Sequence, residues 1–160
     1  MKNIGAVNIT MPSDTDIVIT RMFDAPRVVV FEAWTKSEHV AHWWDPTGTP
    51  LAVCEIDLRP NGSFRWVNSG PNGEAHAFSG TYAEIDAPEK LIFVVHMFPN
   101  SANPVTTLEF TDNGNQTELT ITMACANKHD RDMLLQMRVD EGTARTLENL
   151  ASYLPSVAWV

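Results

Sequence analysis

The sequence predicts an α+β domain in which a curved antiparallel sheet of seven strands wraps one long C-terminal helix, with two short helices after the first strand. Three observations carry this expectation. The stretch from Asp130 to Leu154, DRDMLLQMRVDEGTARTLENLASYL, repeats its apolar residues at helical spacing. It would form a helix of about 25 residues, roughly 37 Å long at 1.5 Å per residue. From Thr49 to Cys125 the hydrophobic period is two instead, in runs rich in β-branched and aromatic residues. Turn sequences such as Asn61-Gly62 and Asn113-Gly114 separate those runs, and strands joined so tightly must be antiparallel.

Taken in order, residues 1–15 are polar, carry Pro12, Ser13 and Asp14, and read as an N-terminal arm with a short strand around Val7 to Thr10. Asp16 to Phe23 alternates with period two and forms the first strand. Asp24-Ala25-Pro26 then opens a helix reaching about Trp34, with Asp24 placed to cap the free N–H groups and proline tolerated in the first turn. Ser37 starts a second short helix, SEHVAHWW, ended by Asp45-Pro46-Thr47-Gly48. The remaining strands are expected at 51–58, 63–68, 76–85, 91–97, 105–111 and 117–125, with a bulge or bend at Gly80. Gly70-Pro71-Asn72-Gly73 reads as a tight turn and residues 99–104 as a looser loop. Residues 16–155 therefore form one domain.

Eleven Lys and Arg against twenty Asp and Glu give a net charge of −9 and a pI near 4.8. That balance argues against nucleic-acid binding and against an anionic membrane surface, both of which need a basic face. No run of about 18 apolar residues offers a membrane span, and Met1-Lys2-Asn3 leads into no signal-peptide core. Cys54 and Cys125 are isolated in strand-like surroundings and read as reduced, buried thiols. A cytoplasmic protein is expected.

The stretch RMFDAPRVVVFEAWTKSEHVAHWWDPTG resembles the opening of the SRPBCC (START-like) proteins related to the activator of heat shock protein 90 ATPase. Cys54-Glu55-Ile56-Asp57-Leu58-Arg59-Pro60-x-Gly62, Phe78-Ser79-Gly80-Thr81-Tyr82 and Asp140-Glu141-Gly142 extend the match from about Ile17 to Leu154. The resemblance implies the helix-grip fold, also seen in the birch pollen allergen type, with a ligand cavity between sheet and helix. It implies a small hydrophobic ligand, aromatic, polyketide-like or lipid-like. Relatives also include polyketide cyclases, so a cyclase, dehydratase or hydrolase using the same cavity is the enzyme alternative, and a chaperone partner and a homodimer are further expectations. Two departures stand out. Asp45 replaces a usual glycine after the tryptophan pair, and Thr143 replaces a tryptophan that in many relatives would point into the cavity. The smaller residue should leave more room.

Candidate ligand residues follow from strand parity and helical spacing. Phe64, Trp66, His76, Phe78 and Tyr82 share a face of the sheet, with Trp43 and Trp44 at its rim. Met133, Gln136, Met137 and Asp140 share a face of the long helix. A carboxylate at the centre of an apolar stripe needs water, donors or a ligand, so Asp140 is expected beside Gln136 at the cavity. A salt bridge to Arg138 or Arg145, or a helix turned toward water, remains the alternative for it. His76 and Asp140 are the candidates for proton transfer, while Arg65 and His96 are further polar residues of the strands. His39, His42 and Asp45 have ligand-like spacing but lack an HExxH pattern, and the aromatic surroundings favour solvated or capping roles over a metal. No cofactor motif or nucleophile motif is present.

Overall fold

A computed structural model describes residues 2–4, 6–45, 47, 49–69, 75–96 and 103–157, with backbone alone for residues 2–4, 69, 75 and 76. The expected turn at 70–73, the end of the fifth expected strand with Phe98, most of the loop after Pro99 and the side chain of His76 lie outside what is described. The strands are β1 (Lys2–Ile4), β2 (Val7–Thr10), β3 (Asp16–Phe23), β4 (Val53–Ile56), β5 (Ser63–Ser69), β6 (Ala75–Asp86), β7 (Lys90–Val95), β8 (Val105–Asn113) and β9 (Gln116–Ala124). The helices are α1 (Arg27–Thr35), α2 (Ser37–Trp43), α3 (Lys128–Gln136) and α4 (Val139–Tyr153). All strands join one antiparallel sheet in the order β1-β2-β3-β9-β8-β7-β6-β5-β4. The helices grip its concave face, giving the helix-grip α+β fold.

Two strands exceed the expected seven, and both come from the arm. Val7 and Ile9 alternate with polar Asn8 and Thr10, and both are fully buried where β2 pairs with β3. Two apolar side chains on one face suffice to fix the register of so short a strand.

The inward face follows from the period of two. Ile17 and Ile19 on β3, Leu119, Ile121 and Met123 on β9, Leu108 and Phe110 on β8, and Leu91, Phe93 and Val95 on β7 are all buried. Burying each such side chain contributes about 1.5–3 kcal/mol, which makes a one-residue slip prohibitive.

Gly80 neither breaks nor bulges its strand. It stays paired with Phe64 and Val95, and the register shifts further along, between Tyr82 and Glu84. The glycine serves close approach instead: a Cβ there would sit 2.6 Å from Phe64 Cζ and closer still to the Val94 carbonyl oxygen.

Asp24 does not cap α1. The helix begins at Arg27, and the Pro26 carbonyl accepts from Val29 and Val30 N–H at 3.0 and 3.1 Å. Trp43 fastens α2 to α1, fully buried, with its indole N–H donating to the Ala33 carbonyl at 3.0 Å.

The expected single C-terminal helix is two helices. α3 ends at Gln136, and Arg138 takes the left-handed conformation with φ 59° and ψ 38° before α4 starts at Val139. Arg138 N–H donates to the Leu135 carbonyl at 3.1 Å, a bond typical of a helix C-terminus with a left-handed residue. The acidic pair Asp140-Glu141 then falls in the first turn of α4, where the free N–H groups and the helix dipole favour negative charge.

Candidate ligand cavity

Side-chain bonds to the end of α2 and to β3 help seat helix α4. Thr146 Oγ1 donates to the Trp44 carbonyl at 3.1 Å, and Asn149 Nδ2 donates to the Asp45 carbonyl at 2.8 Å. On the far side Arg21 of β3, stacked over Phe23 at 4.9 Å, bonds Glu148 at 2.9 Å. Two stripes of α4 then face inward. Asp140, Ala144 and Leu147 form one and are buried. Val139, Gly142, Thr143 and Thr146 form the other, about 100° round the helix, and this stripe borders a cavity of about 280 Å³.

The opposite wall is Phe93 and Val95 of β7, Thr106 and Leu108 of β8, and Ile121 and Met123 of β9. Asn68 and Phe78 close one end with Trp34 and Trp44, and Leu134 of α3 covers the top. Among the described residues no charged side chain lines this space. Gly142 adds room, since a Cβ on it would meet nothing within 4 Å.

On and behind the wall the aromatic residues pack against one another. Trp44 lies 4.6 Å from Trp66 and 4.8 Å from Phe78, and Phe64 packs against Trp66, Tyr82 and Phe93 at 4.8, 5.3 and 5.4 Å. These separations are those of favourable offset and edge contacts.

Of the ligand residues expected from sequence, Trp44 and Phe78 line the cavity, while Phe64, Trp66 and Tyr82 form the buried layer behind it. Trp43 is not at a rim but in the joint between α1 and α2. The helical group divides because the helix does. Gln136 is exposed and Met137 is 54% exposed, at the end of α3, so neither reaches the cavity. Met133 is half-buried, and the neighbouring Leu134 takes the wall position instead. Asp140 is 3% exposed but stands on the adjacent stripe, off the wall. The backbone of His76 pairs with Asn68.

Trp34, Asn68, Phe93 and Thr106 were not singled out. Phe93 and Thr106 share the buried parity of their strands, which was the available signal.

The remaining polar candidates have other work. His39 Nδ1 and Tyr153 Oη share a hydrogen bond of 2.6 Å, and His42 stacks on the same tyrosine at 5.6 Å. Burial, then the nearby Glu38, raises the Tyr153 hydroxyl above its ordinary value. Asp45 Oδ1 accepts from Thr47 N–H and Thr47 Oγ1, both at 2.9 Å, fixing the turn after α2. The histidines and the aspartate thus serve separate contacts, and among the described residues no group of three or more His, Cys, Asp or Glu could hold a metal ion. Arg65 faces outward toward Glu55 at 3.9 Å, and exposed His96 lies 3.4 Å from Thr81 Oγ1. Burial pushes the Cys54 thiol up to about 11 and raises that of Cys125, so neither is a ready nucleophile at neutral pH.

Three buried polar atoms have no hydrogen-bond partner among the described residues: Trp34 Nε1, Trp66 Nε1 and Asn68 Oδ1. Two of the three belong to wall residues, and leaving such groups unpaired costs about 1–3 kcal/mol each.

No described helix is long and apolar enough to cross a membrane. A family model described as Activator of Hsp90 ATPase homolog 1-like protein matches residues 24–155. Solved structures of similar shape include a protein from Nitrosomonas europaea, 23% identical, with a TM-score of 0.81 over 91% of this chain and 97% of that one. A Rhodobacter sphaeroides protein, 21% identical, gives 0.84 over 95% and 99%. One from Arthrobacter aurescens, also 21% identical, gives 0.83 over 96% and 94%. At these identities the likeness establishes the fold. No curated protein shows a significant match.

Proposed function

The chain belongs to the Activator of Hsp90 ATPase homolog 1-like family, and we propose that it binds a small, largely apolar aromatic ligand in the cavity under α4. The observation that carries this reading is a partly open cavity of about 280 Å³, walled by tryptophan, phenylalanine and aliphatic side chains. Small-molecule sites usually enclose about 300–1,000 Å³ with a few polar groups for orientation, so this one lies at the compact end. Hydrophobic ligands are common cargo of the fold. Binding is favoured over acid–base chemistry because none of the described wall side chains titrates near neutral pH, and Asp140 stays off the wall.

Trp34 and Trp44 line the cavity, so their emission reports occupancy. Titrating the protein with aromatic, polyketide-like and lipid-like compounds should give a saturable change with one-to-one stoichiometry for at least one compact aromatic. A panel with no saturable response overturns the proposal. Steady turnover of a bound compound would move the reading to the enzyme class, with His76 as the first residue to replace.

A further inference from the structure

The stripe of α4 that borders the cavity does not stop with it. Val139, Gly142, Thr143 and Thr146 line the cavity from the first half of the helix. Further on, the same side of the helix presents Asn149 and Tyr153, three and seven residues beyond Thr146. Both bond α2 or the turn after it. Asn149 Nδ2 donates to the Asp45 carbonyl at 2.8 Å, and Tyr153 Oη shares a 2.6 Å hydrogen bond with His39 Nδ1. Thr146 stands at the border of the two halves: it lines the cavity, and its Oγ1 donates to the Trp44 carbonyl at 3.1 Å. Trp44 also belongs to both, as a wall residue whose carbonyl is the acceptor. A hydrogen bond therefore joins the helix wall to the aromatic wall at the corner where they meet.

Leu147 and Leu150, both fully buried, keep α4 on the sheet. Such burial is strong but non-directional, so by itself it tolerates a roll or a slide of the helix. Hydrogen bonds specify a distance and an angle, and the three along this seam restrict both motions. The frame on the other side of the corner is firm. The Trp44 ring packs against Trp66 at 4.6 Å and Phe78 at 4.8 Å, and Trp43 Nε1 ties α2 to the Ala33 carbonyl. The Asp45 carboxylate holds the turn itself by accepting from Thr47 N–H and Oγ1. Removing the Thr146 hydroxyl would leave the Trp44 carbonyl without that donor, and an acceptor so deprived is drawn toward water.

Resting on the binding reading above, we infer that this seam sets the size of the largest ligand the cavity accepts. Thr146 is its specificity-determining residue, and Asn149 and Tyr153 are positioning residues that act through the seating of α4. An apolar cavity of about 150 Å³ is known to hold benzene, so a space of about 280 Å³ suits two fused rings. A third ring has to part α4 from Trp44, and the Thr146 bond is the first to break.

The test is equilibrium dialysis of the full chain with β-naphthol and 9-phenanthrol, which differ by one ring and share the hydroxyl, beside a melting curve for each protein. Wild type should bind phenanthrol at least about fivefold more weakly than naphthol, the lower end of what overpacking costs. Thr146→Val, Asn149→Leu and Tyr153→Phe should each shrink that margin by about threefold, within the worth of one hydrogen bond. Thr146→Ser, which keeps the donor, should restore it. A margin unchanged in the folded variants, with both affinities lowered alike or not at all, is what a merely structural role gives, and it overturns the inference. So does phenanthrol binding wild type as tightly as naphthol, or a Thr146→Ser margin that matches that of Thr146→Val. Each of these results leaves the cavity reading standing. Failure of both probes on wild type counts against the binding reading itself and carries the inference down with it. Where a Thr146 variant does not fold, Tyr153→Phe at the half-buried end of the seam decides.

Discussion

Two glycines of this chain sit in opposite circumstances, and they make the account of packing testable at single atoms. A Cβ at Gly80 would collide with Phe64 and with the Val94 carbonyl, while one at Gly142 would enter open space inside α4. Gly80→Ala should therefore destabilise by about 1–3 kcal/mol, as overpacking does. Gly142→Ala should stabilise by about 0.5–1 kcal/mol through helix propensity. Thermal melting reads both, and equal signs would contradict the packing described. Cys54 offers a second test. Its thiol rises from an ordinary 9.0 to about 11 through burial, and Tyr82 is raised by burial and then by Cys54. Both folded values exceed the unfolded ones, so the contribution of Cys54 is full below about pH 9 and is lost as pH rises toward 11, while that of Tyr82 starts to be lost only above about pH 10. Melting temperature should fall across that window, less steeply in Cys54→Ala. A variant with the same slope would show that the thiol does not contribute.

Among the elements, the break between α3 and α4 decides which residues reach the cavity. Arg138 adopts a left-handed conformation that disfavours side chains, at about 1–2 kcal/mol. Arg138→Gly should relieve part of this and raise stability by up to about 1 kcal/mol, whereas a continuous helix would lose stability on gaining a glycine. Chemical denaturation distinguishes the two. The break also relocates Asp140 from mid-helix to the first turn of α4. Asp140→Asn should thus lower stability by about 1 kcal/mol and leave the affinity of any cavity ligand within about twofold. A large loss of affinity with stability unchanged would return Asp140 to the cavity wall. The break was legible only in part. Asp140-Glu141 is a helix-start signal, but Leu135-Gln136-Met137-Arg138 contains neither the glycine nor the asparagine that usually marks a left-handed stop. Helical periodicity therefore ran straight through it, placing Gln136 and Met137 on a face they do not share with α4.

For the whole molecule, the period of two and the turn residues carried the sheet, because alternation fixes which side chains face inward before any contact is known. In the arm, the short strand expected around Val7 to Thr10 is β2, whereas β1 escaped because Lys2-Asn3-Ile4 is too short a pattern to separate from coil until β2 supplies its partner. The cavity was legible in kind rather than in detail. Aromatic residues of the right parity marked the inner face, but which ones touch the cavity and which stand behind it depends on the curvature of the sheet and the seating of α4. Thr143, singled out as small for its place, does lie on the wall. The most direct test of the central claim fills the space from that position. Calorimetric titration of wild type, Thr143→Trp and Gly142→Leu should be run with the compound that binds wild type best, beside a melting curve for each. A ligand site in the cavity predicts saturable one-to-one binding by wild type and at least about tenfold weaker binding by both folded variants. Undiminished affinity in either folded variant would contradict it.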